Sequence, residues 1–434
     1  MASVISASMC ISGAFPVPTI VHHGERAQSS IKQVPKVAKR NAMDDDNKAR
    51  MTSSTGGIYL DHHATTPVDK RVADAVMRYM VEEFGNANSA DHVYGERAAA
   101  AIEVATDSVA ELFSAEADDI LFTSGSTQAL ELAFAHAMGM HRDFPLRVAL
   151  SRVEHPAIID IAKRAEHRGL ASLRWLDVSS DASIDLGQVE RLAPEIDLLC
   201  LMAANNEVGT VYPVADAYEI ASVAGVSMLV DATQAAGRLE IDLSETPFDY
   251  LALSGHKIYA PKGVGALISP IYRADDNHGI AGSHPPTPNV PAIVGLGVAC
   301  RLIIEQGEAD ERRIRELRDL MLDELRSIVP NLSLNGGTAK LSGNLHVSAP
   351  GAPNDLVVSR LRGQVAISTG AACMSGAQGS SHVLQAMQLP HDVQESALRI
   401  SLGRPTSRED VIEAAHHIGS AIAAVKTTLG LQHA

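Results

Sequence analysis

Cysteine is scarce and scattered in this chain. Its four cysteines, Cys10, Cys200, Cys300 and Cys373, form no CxxC pair. That spacing argues against a disulfide framework or a cysteine-based zinc site and suits a reducing compartment. Positive charge is also in deficit. The 36 Lys and Arg stand against 52 Asp and Glu, a formal net charge of −16, so no direct general nucleic-acid binding is expected, although a local basic patch stays compatible with the total. No uninterrupted apolar run approaches the length of a bilayer span, and no membrane association is expected. What is present is 434 residues, 46% hydrophobic, with a mean hydropathy of +0.03. This is enough chain for one large or two medium globular domains with a real core. No internal repeat is visible.

Residues 1–57 differ from the rest. Up to Arg40 they are rich in Ser, Ala and Val, carry Arg26, Lys32, Lys36, Lys39 and Arg40, and include Glu25 as the one acid. Two readings stand: a disordered extension, with Met43 or Met51 as alternative starts, or an organellar targeting segment over residues 1–42. The expected location is cytoplasmic under the first and organellar under the second.

Order begins at GIYLDHHATTP. Ile58 to Leu60 reads as a short strand, and Pro67 as the opening of a helix with Val72, Val76 and Met80 at helical spacing. The His62–His63 pair invites a metal reading. Adjacent histidines point apart in a strand and no partner ligand stands nearby, so none is assigned. A helix from about Glu96 to Phe113 follows, then DDILFTSGSTQALELAF: a strand over Ile120–Thr123, a Ser124–Gly125 turn, and a helix from Ser126. A strand, a glycine turn and a hydroxyl-rich helix start make an anion site; an ordinary helix cap has the same look. The pattern recurs. RVALSRVEHPAIID places Glu154 and His155 at a strand end, and IDLLCLMAANNEVGT places Asn205, Asn206 and Glu207 at another, with Cys200 as a small core residue. His155 could stack on a flat ring, move a proton, or be structural.

The stretch that organises the chain is VSMLVDATQAAG followed by LALSGHKIYAPKGVG. One apolar run ends in Asp231, with Gln234 close behind. The next ends in Ser254, followed by Gly255, His256 and Lys257. A carboxylate and a lysine just past neighbouring strand ends suit pyridoxal 5′-phosphate (PLP): the amine joins the aldehyde, and the carboxylate keeps the ring nitrogen protonated. Strands alternating with helices imply an α/β fold with a mainly parallel sheet covered by helices. Ligands of such folds lie beyond the carboxyl ends of the strands, where Thr127, His155, Asn206, Asp231 and Lys257 all fall.

After a strand from Gly263 to Ile268 and a Pro/Gly-rich loop, a helix is expected from about Ile293. It leads to a long amphipathic stretch with Ile314, Leu317, Met321, Leu325 and Ile328 as its apolar stripe. Strands near Leu345–Ser348 and Ser401–Leu402 alternate with helices over 354–362 and 408–428. The expected division is a small domain from 58–75 and 311–434 and a large one from 76–310. The small one holds AISTGAACMSGAQGSSHVLQAM, where Cys373 lies among small residues in what reads as a mobile loop. A thiol kept there is read as reactive rather than as core filling. Arg399, in LRISLG, is placed to pair with a carboxylate or to sit on the surface.

Taken together, YLDHHATTP, FTSGSTQ, VEHPAI, NNEVGT, VDATQAAG, LSGHKIYAPKGVGAL, STGAAC, SHVLQAM and RISLGR resemble, in order and spacing, the NifS/IscS-like cysteine desulfurases. These are fold-type I PLP enzymes of the class V aminotransferase superfamily: a large domain with a seven-stranded-type sheet and a smaller α+β C-terminal domain. The resemblance runs from about Ile58 to the C-terminal helix. It implies that Lys257 joins the cofactor and then moves protons, that Asp231 meets the ring nitrogen, Gln234 the ring hydroxyl, and that His155 stacks on the ring while Asn206 contacts ring and substrate. It also implies that Ser126, Thr127, Ser254 and His256 hold the phosphate, completed across a homodimer by Thr287. Arg399 then takes the α-carboxylate of L-cysteine, and Cys373 receives its sulfur as a persulfide, leaving alanine. An acceptor protein for iron–sulfur assembly or nucleic-acid thiolation is implied as partner. The chain departs from the family at GIAGSHPPTPN, which lacks the family's Arg-Ser-Gly-Thr motif and carries Pro285 and Pro286. Two alternatives stay open: another class V enzyme (a selenocysteine lyase or an aminotransferase), or a weakly active homologue serving as a binding scaffold.

Overall fold

The computed structural model describes residues 57–141, 145–272, 287–369 and 381–430. Cys373, Pro285, Pro286 and the N-terminal segment are outside the described residues. In chain order the elements are β1 (Ile58–Tyr59), α1 (Lys70–Val81), α2 (Val93–Phe113), β2 (Ile120–Thr123), α3 (Ser126–Met140), β3 (Leu146–Ser151), α4 (Pro156–His167), β4 (Ala171–Leu176), α5 (Leu186–Leu192), β5 (Leu198–Met202), α6 (Val214–Val223), β6 (Ser227–Asp231), β7 (Tyr250–Ser254) and β8 (Gly265–Ile268). Then come α7 (Val290–Ile328), β9 (Ser333–Leu334), β10 (Asn344–Ser348), α8 (Asn354–Leu361), β11 (Val365–Ala366), α9 (His382–Ala386), α10 (His391–Glu395), β12 (Ala397–Ser401) and α11 (Arg408–Thr428).

The main sheet has seven strands in the order β2-β8-β7-β6-β5-β3-β4. β8 runs antiparallel to both its neighbours, and the other pairings are parallel. β5 and β7 are buried at every residue, as a sheet covered on both faces requires. Cys200 lies mid-strand in β5, 1% exposed. From β3 the chain steps outward to the edge strand β4, then returns to β5 on the other side of β3. That reversal opens a crevice at the carboxyl ends of the strands.

A second apolar cluster surrounds a small antiparallel sheet ordered β12-β10-β9. It gathers Leu60, the later apolar stripe of α7 and the inner face of α11. In β10, Leu345 and Val347 enter this cluster, while Asn344, His346 and Ser348 alternate with them and are also fully buried. The period of two thus gives the strand one apolar and one polar buried face.

Several expectations are corrected. The helix expected at Pro67 begins at Lys70, because Asp69 caps it by accepting the Arg71 amide at 2.9 Å. His62 and His63 are buried and follow the Asp61 bridge as a turn, not a strand. Among the described residues no group of three His, Cys, Asp or Glu is placed to hold a metal. Met80, expected on the inner face of α1, is 61% exposed. The helix expected from Ile293 is one continuous helix, α7, running over 39 residues. An 18-residue window of it has mean hydropathy 1.4, long and apolar enough to cross a membrane, yet 67% of that window is buried inside the protein. Packing against α1 and α2 accounts for its composition.

Candidate active site

A cavity of about 530 Å³ opens at the strand ends, lined by Thr127, His155, Asn206, Asp231, Gln234 and Lys257, together with Ser126, Ser254 and His256. Asp231 closes β6 and is 6% exposed. Its Oδ1 accepts the Thr233 amide at 2.9 Å, which fixes the carboxylate. On the neighbouring strand, β7 ends in Ser254 and a single 3₁₀ turn delivers Lys257. The Lys257 ammonium donates to the carbonyl oxygens of His63 and Ala64 at 2.5 and 2.9 Å. Gln234 Nε2 donates to the same His63 oxygen at 3.0 Å. Its Oε1 is buried with no hydrogen-bond partner among the described residues, a polar atom aimed where a ligand donor would satisfy it.

The other end of the cavity is built as an anion cradle. α3 is preceded by Gly125 as its N-cap, which has φ +151° and no side chain to cap with, so the first N–H groups of the helix stay open. Gln128 Oε1 accepts the Ser124 amide at 2.7 Å, and Thr123 Oγ1 donates to the Gly125 carbonyl at 2.9 Å. The cradle rests directly on β8. A Cβ at Gly265 would lie 2.4 Å from the Leu253 oxygen and 2.7 Å from Gly125 Cα. Gly265→Ala is therefore expected to destabilise the fold by about 1–3 kcal/mol, seen as a lower Tm in thermal denaturation.

The histidines are neutral here. His155 caps α4, its Nδ1 accepting the Ala157 amide at 3.1 Å. The proton of the neutral ring is then on Nε2. Burial, aided by Lys257 and His382 and opposed by Asp231, lowers its pKa. His256, whose Nδ1 lies 3.1 Å from Thr65 Oγ1, is held down to about 4 by burial, with Lys257 and Lys262 adding to the effect.

Arg399 is 1% exposed, so the surface alternative is excluded. Its Nη2 meets Asp61 Oδ1 at 2.7 Å and its Nη1 donates to the Asn206 carbonyl at 3.1 Å, while Nε has no partner among the described residues. It stands behind Asn206 and is not among the residues lining the cavity. Thr287 is exposed and is not among the residues lining the cavity. Cys373 lies outside the described residues.

Sequence reasoning missed several contributors. The His63 and Ala64 carbonyls carry no residue-type signal, since any residue supplies one. Arg238 donates to the backbone carbonyl of Gln234 at 2.9 Å and to that of Lys257 at 2.8 Å, bracing both. Its signal was an arginine four residues after Gln234. Glu154 and Glu207, placed at strand ends in the sequence but given no role there, are buried carboxyls whose pKa values burial raises. Acids flanked by apolar strands were the cue.

The fold and the cavity are those of the fold-type I PLP-dependent transferases. The aminotransferase class-V family matches residues 58–271 and 282–413. A cysteine desulfurase IscS of Anaeromyxobacter sp. (strain Fw109-5) is 37% identical over 363 residues, covering 82% of this chain and 89% of that protein. Among solved structures, a NifS-like protein superposes with a TM-score of 0.75 at 27% identity, covering 84% of this chain and 98% of that one. SspA in complex with cysteine gives 0.70 at 28%, covering 80% and 99%. The chain belongs to the aminotransferase class-V family and, within it, to the cysteine desulfurases.

Proposed function

We propose that this protein is a PLP-dependent cysteine desulfurase that takes sulfur from L-cysteine as a persulfide on Cys373 and leaves L-alanine. The observation that carries the reading is the single cavity lined by Asp231 and Lys257 at one end and the open α3 start at the other. The orphaned Gln234 oxygen and the Gly125 cradle fit a flat heterocycle bearing a hydroxyl and a phosphate. Asp231 would face the ring nitrogen and Lys257 the aldehyde. Ser126, Thr127, Ser254 and His256 would hold the phosphate, Gln234 the hydroxyl, His155 one ring face, and Asn206 the ring edge. Bound there, PLP supplies an electron sink.

The chain's own residues do the rest. Arg399, behind Asn206, would take the cysteine carboxylate on its guanidinium by exchanging its bond to Asp61. The Lys257 amine would remove the Cα proton and return a proton to the product. The Cys373 thiolate attacks the substrate sulfur. The carbon–sulfur bond breaks, a sulfur–sulfur bond forms, and the electron pair left on the substrate carbon takes up a proton to give alanine. A neutral His155 with its proton on Nε2 offers that proton from the ring face.

A homodimer is part of this reading. Met77, Met80, Val81, Phe84, Val93 and Tyr94 form an exposed apolar face where α1 meets the start of α2, a surface a second copy would cover and across which Thr287 would reach the phosphate. Persulfide would pass to a thiol of an iron–sulfur scaffold or thiolation protein. The buried free thiols of Cys200 and Cys300 suit a reducing, cytoplasmic setting.

The test is incubation of the PLP-loaded protein with L-cysteine followed by peptide mass spectrometry. One extra sulfur on Cys373 and an equal yield of alanine are expected. Cys373→Ala should lose at least about 10²-fold in alanine formation. Undiminished sulfide release by that variant would sink the reading in favour of another class V activity.

A further inference from the structure

Glu207 is a buried carboxyl that the chemistry above leaves unused. It is 3% exposed and follows Asn206 in the loop after β5. Its Oε2 accepts the Ser381 hydroxyl at 2.7 Å. Ser381, 6% exposed, in turn accepts the amides of Val383 and Leu384 at 3.1 and 3.3 Å and so caps α9. The other carboxyl oxygen, Oε1, has no hydrogen-bond partner among the described residues. It faces His346 Nε2 of β10 at 3.8 Å. His346 Nδ1 lies 3.0 Å from Asn335 Nδ2, an amide nitrogen that can only donate. The imidazole proton is therefore on Nε2, directed at Glu207. Burial, then Arg399 and Lys340, hold His346 down to about 3, so this is a neutral N–H facing a carboxyl and not an ion pair. From β12 the Arg399 guanidinium supplies the positive charge that favours the Glu207 anion, and Asn344 Nδ2 pins the Glu207 carbonyl at 3.0 Å.

We propose that Glu207 is a positioning residue for sulfur transfer, tying Ser381 to the loop that carries Asn206 beside Arg399. Ser381 is the first described residue after the segment containing Cys373, so the tie joins the thiol-bearing part of the chain to the substrate end of the cavity. The inference rests on the proposed desulfurase reading. Its geometry explains why an acid is kept where glutamine would be easier to bury. A carboxylate accepts from Ser381 through one oxygen and turns the other toward the His346 N–H, whereas a glutamine amide would present its own N–H to one of the two. Burial pushes Glu207 up to about 7 from an ordinary 4.5, against the Ser381 hydrogen bond and Arg399. For a carboxyl raised on folding, the stability contribution is full below about 4.5, falls as pH rises to about 7, and is level above that. An ionised Glu207 thus works against stability at the pH where the proposed tie is strongest.

The experiment uses PLP-loaded wild type, Glu207→Gln, Ser381→Ala and the double variant. Alanine formation, Cys373 persulfide, Cys373 alkylation by iodoacetamide without cysteine, and Tm are measured at pH 5 and pH 8. At pH 8 Glu207→Gln should lower kcat by about 10- to 100-fold with KM for cysteine little changed. It should also alter Cys373 alkylation, and its Tm gain over wild type should be larger at pH 8 than at pH 5. Ser381→Ala should act in the same direction, with the double variant no worse than Glu207→Gln. Wild-type kcat and alkylation in Glu207→Gln would overturn the role. A loss of Tm at both pH values that tracks the loss of activity would equally overturn it, by marking Glu207 as purely structural. A wild-type protein that forms no Cys373 persulfide would instead overturn the desulfurase reading and, with it, this proposal.

Discussion

Lys257→Ala is expected to abolish the yellow colour of the PLP-loaded protein and to lower alanine formation by at least about 10⁴-fold, the upper range for loss of a positioned proton-transfer group. The geometry makes this residue hard to replace. β6 and β7 are adjacent and parallel, with Asp231 in register with Ala252, and neighbouring strands stand about 4.8 Å apart. A turn after Ser254 then brings the Lys257 amine over the His63 and Ala64 carbonyls, on the same cavity as Asp231. Lys262 also lines the cavity, and it provides the control. Borohydride reduction and peptide mapping should place the pyridoxyl group on Lys257, and Lys262→Ala should keep its colour. The fold should survive loss of Lys257, since Ala64 lines the open cavity and the His63 carbonyl keeps its bond from Gln234 Nε2, and an unchanged far-UV circular dichroism spectrum would show it. Pyridoxyl on Lys262, or a Lys257→Ala protein that stays yellow and turns over cysteine, would refute the assignment of the amine.

Much of this site was legible because parallel strands buried on both faces must be apolar throughout, so the first polar residue after each run marks a strand end. Asp231 after SMLV, Ser254 and Lys257 after YLAL, and Glu154 and His155 after RVALSRV are read this way, and the sheet order then brings them together. The same logic failed where burial was polar. Asn344, His346 and Ser348 alternate with apolar residues, a pattern that a solvent-facing side would also give, yet their face packs against Glu207, Asn335 and the Val393 carbonyl. Periodicity reports which residues share a face, not what covers it. In α7 only the second half shows an amphipathic stripe in sequence, because its first half is apolar nearly all round. Backbone acceptors such as the His63 oxygen leave no trace in residue type at all.

Arg399 gives the second large effect, and its ion pair separates two roles. Arg399→Ala should raise KM for cysteine and destabilise the fold together. The side chain is 1% exposed and Asp61 is 21% exposed, with 2.7 Å between Nη2 and Oδ1. Removing one partner of a fully buried pair costs about 3–5 kcal/mol. Partial solvation of Asp61 brings the expectation to about 2–4 kcal/mol, measured by urea denaturation. The unpaired Asp61 carboxylate and the Asn206 carbonyl account for that loss. Asp61→Asn relieves one of these burdens without removing the guanidinium. With its carboxylate competitor gone, Arg399 keeps its bond to the Asn206 carbonyl and frees Nη2 for an incoming carboxylate. Asp61→Asn should therefore cost less stability than Arg399→Ala, and the double variant should cost less than the sum of the two. The decisive comparison is KM. If Arg399 grips the substrate carboxylate, KM rises strongly in Arg399→Ala and little or not at all in Asp61→Asn. Equal rises in both variants would mean that the pair only braces β12 against the turn after β1, and the α-carboxylate would have to be met elsewhere.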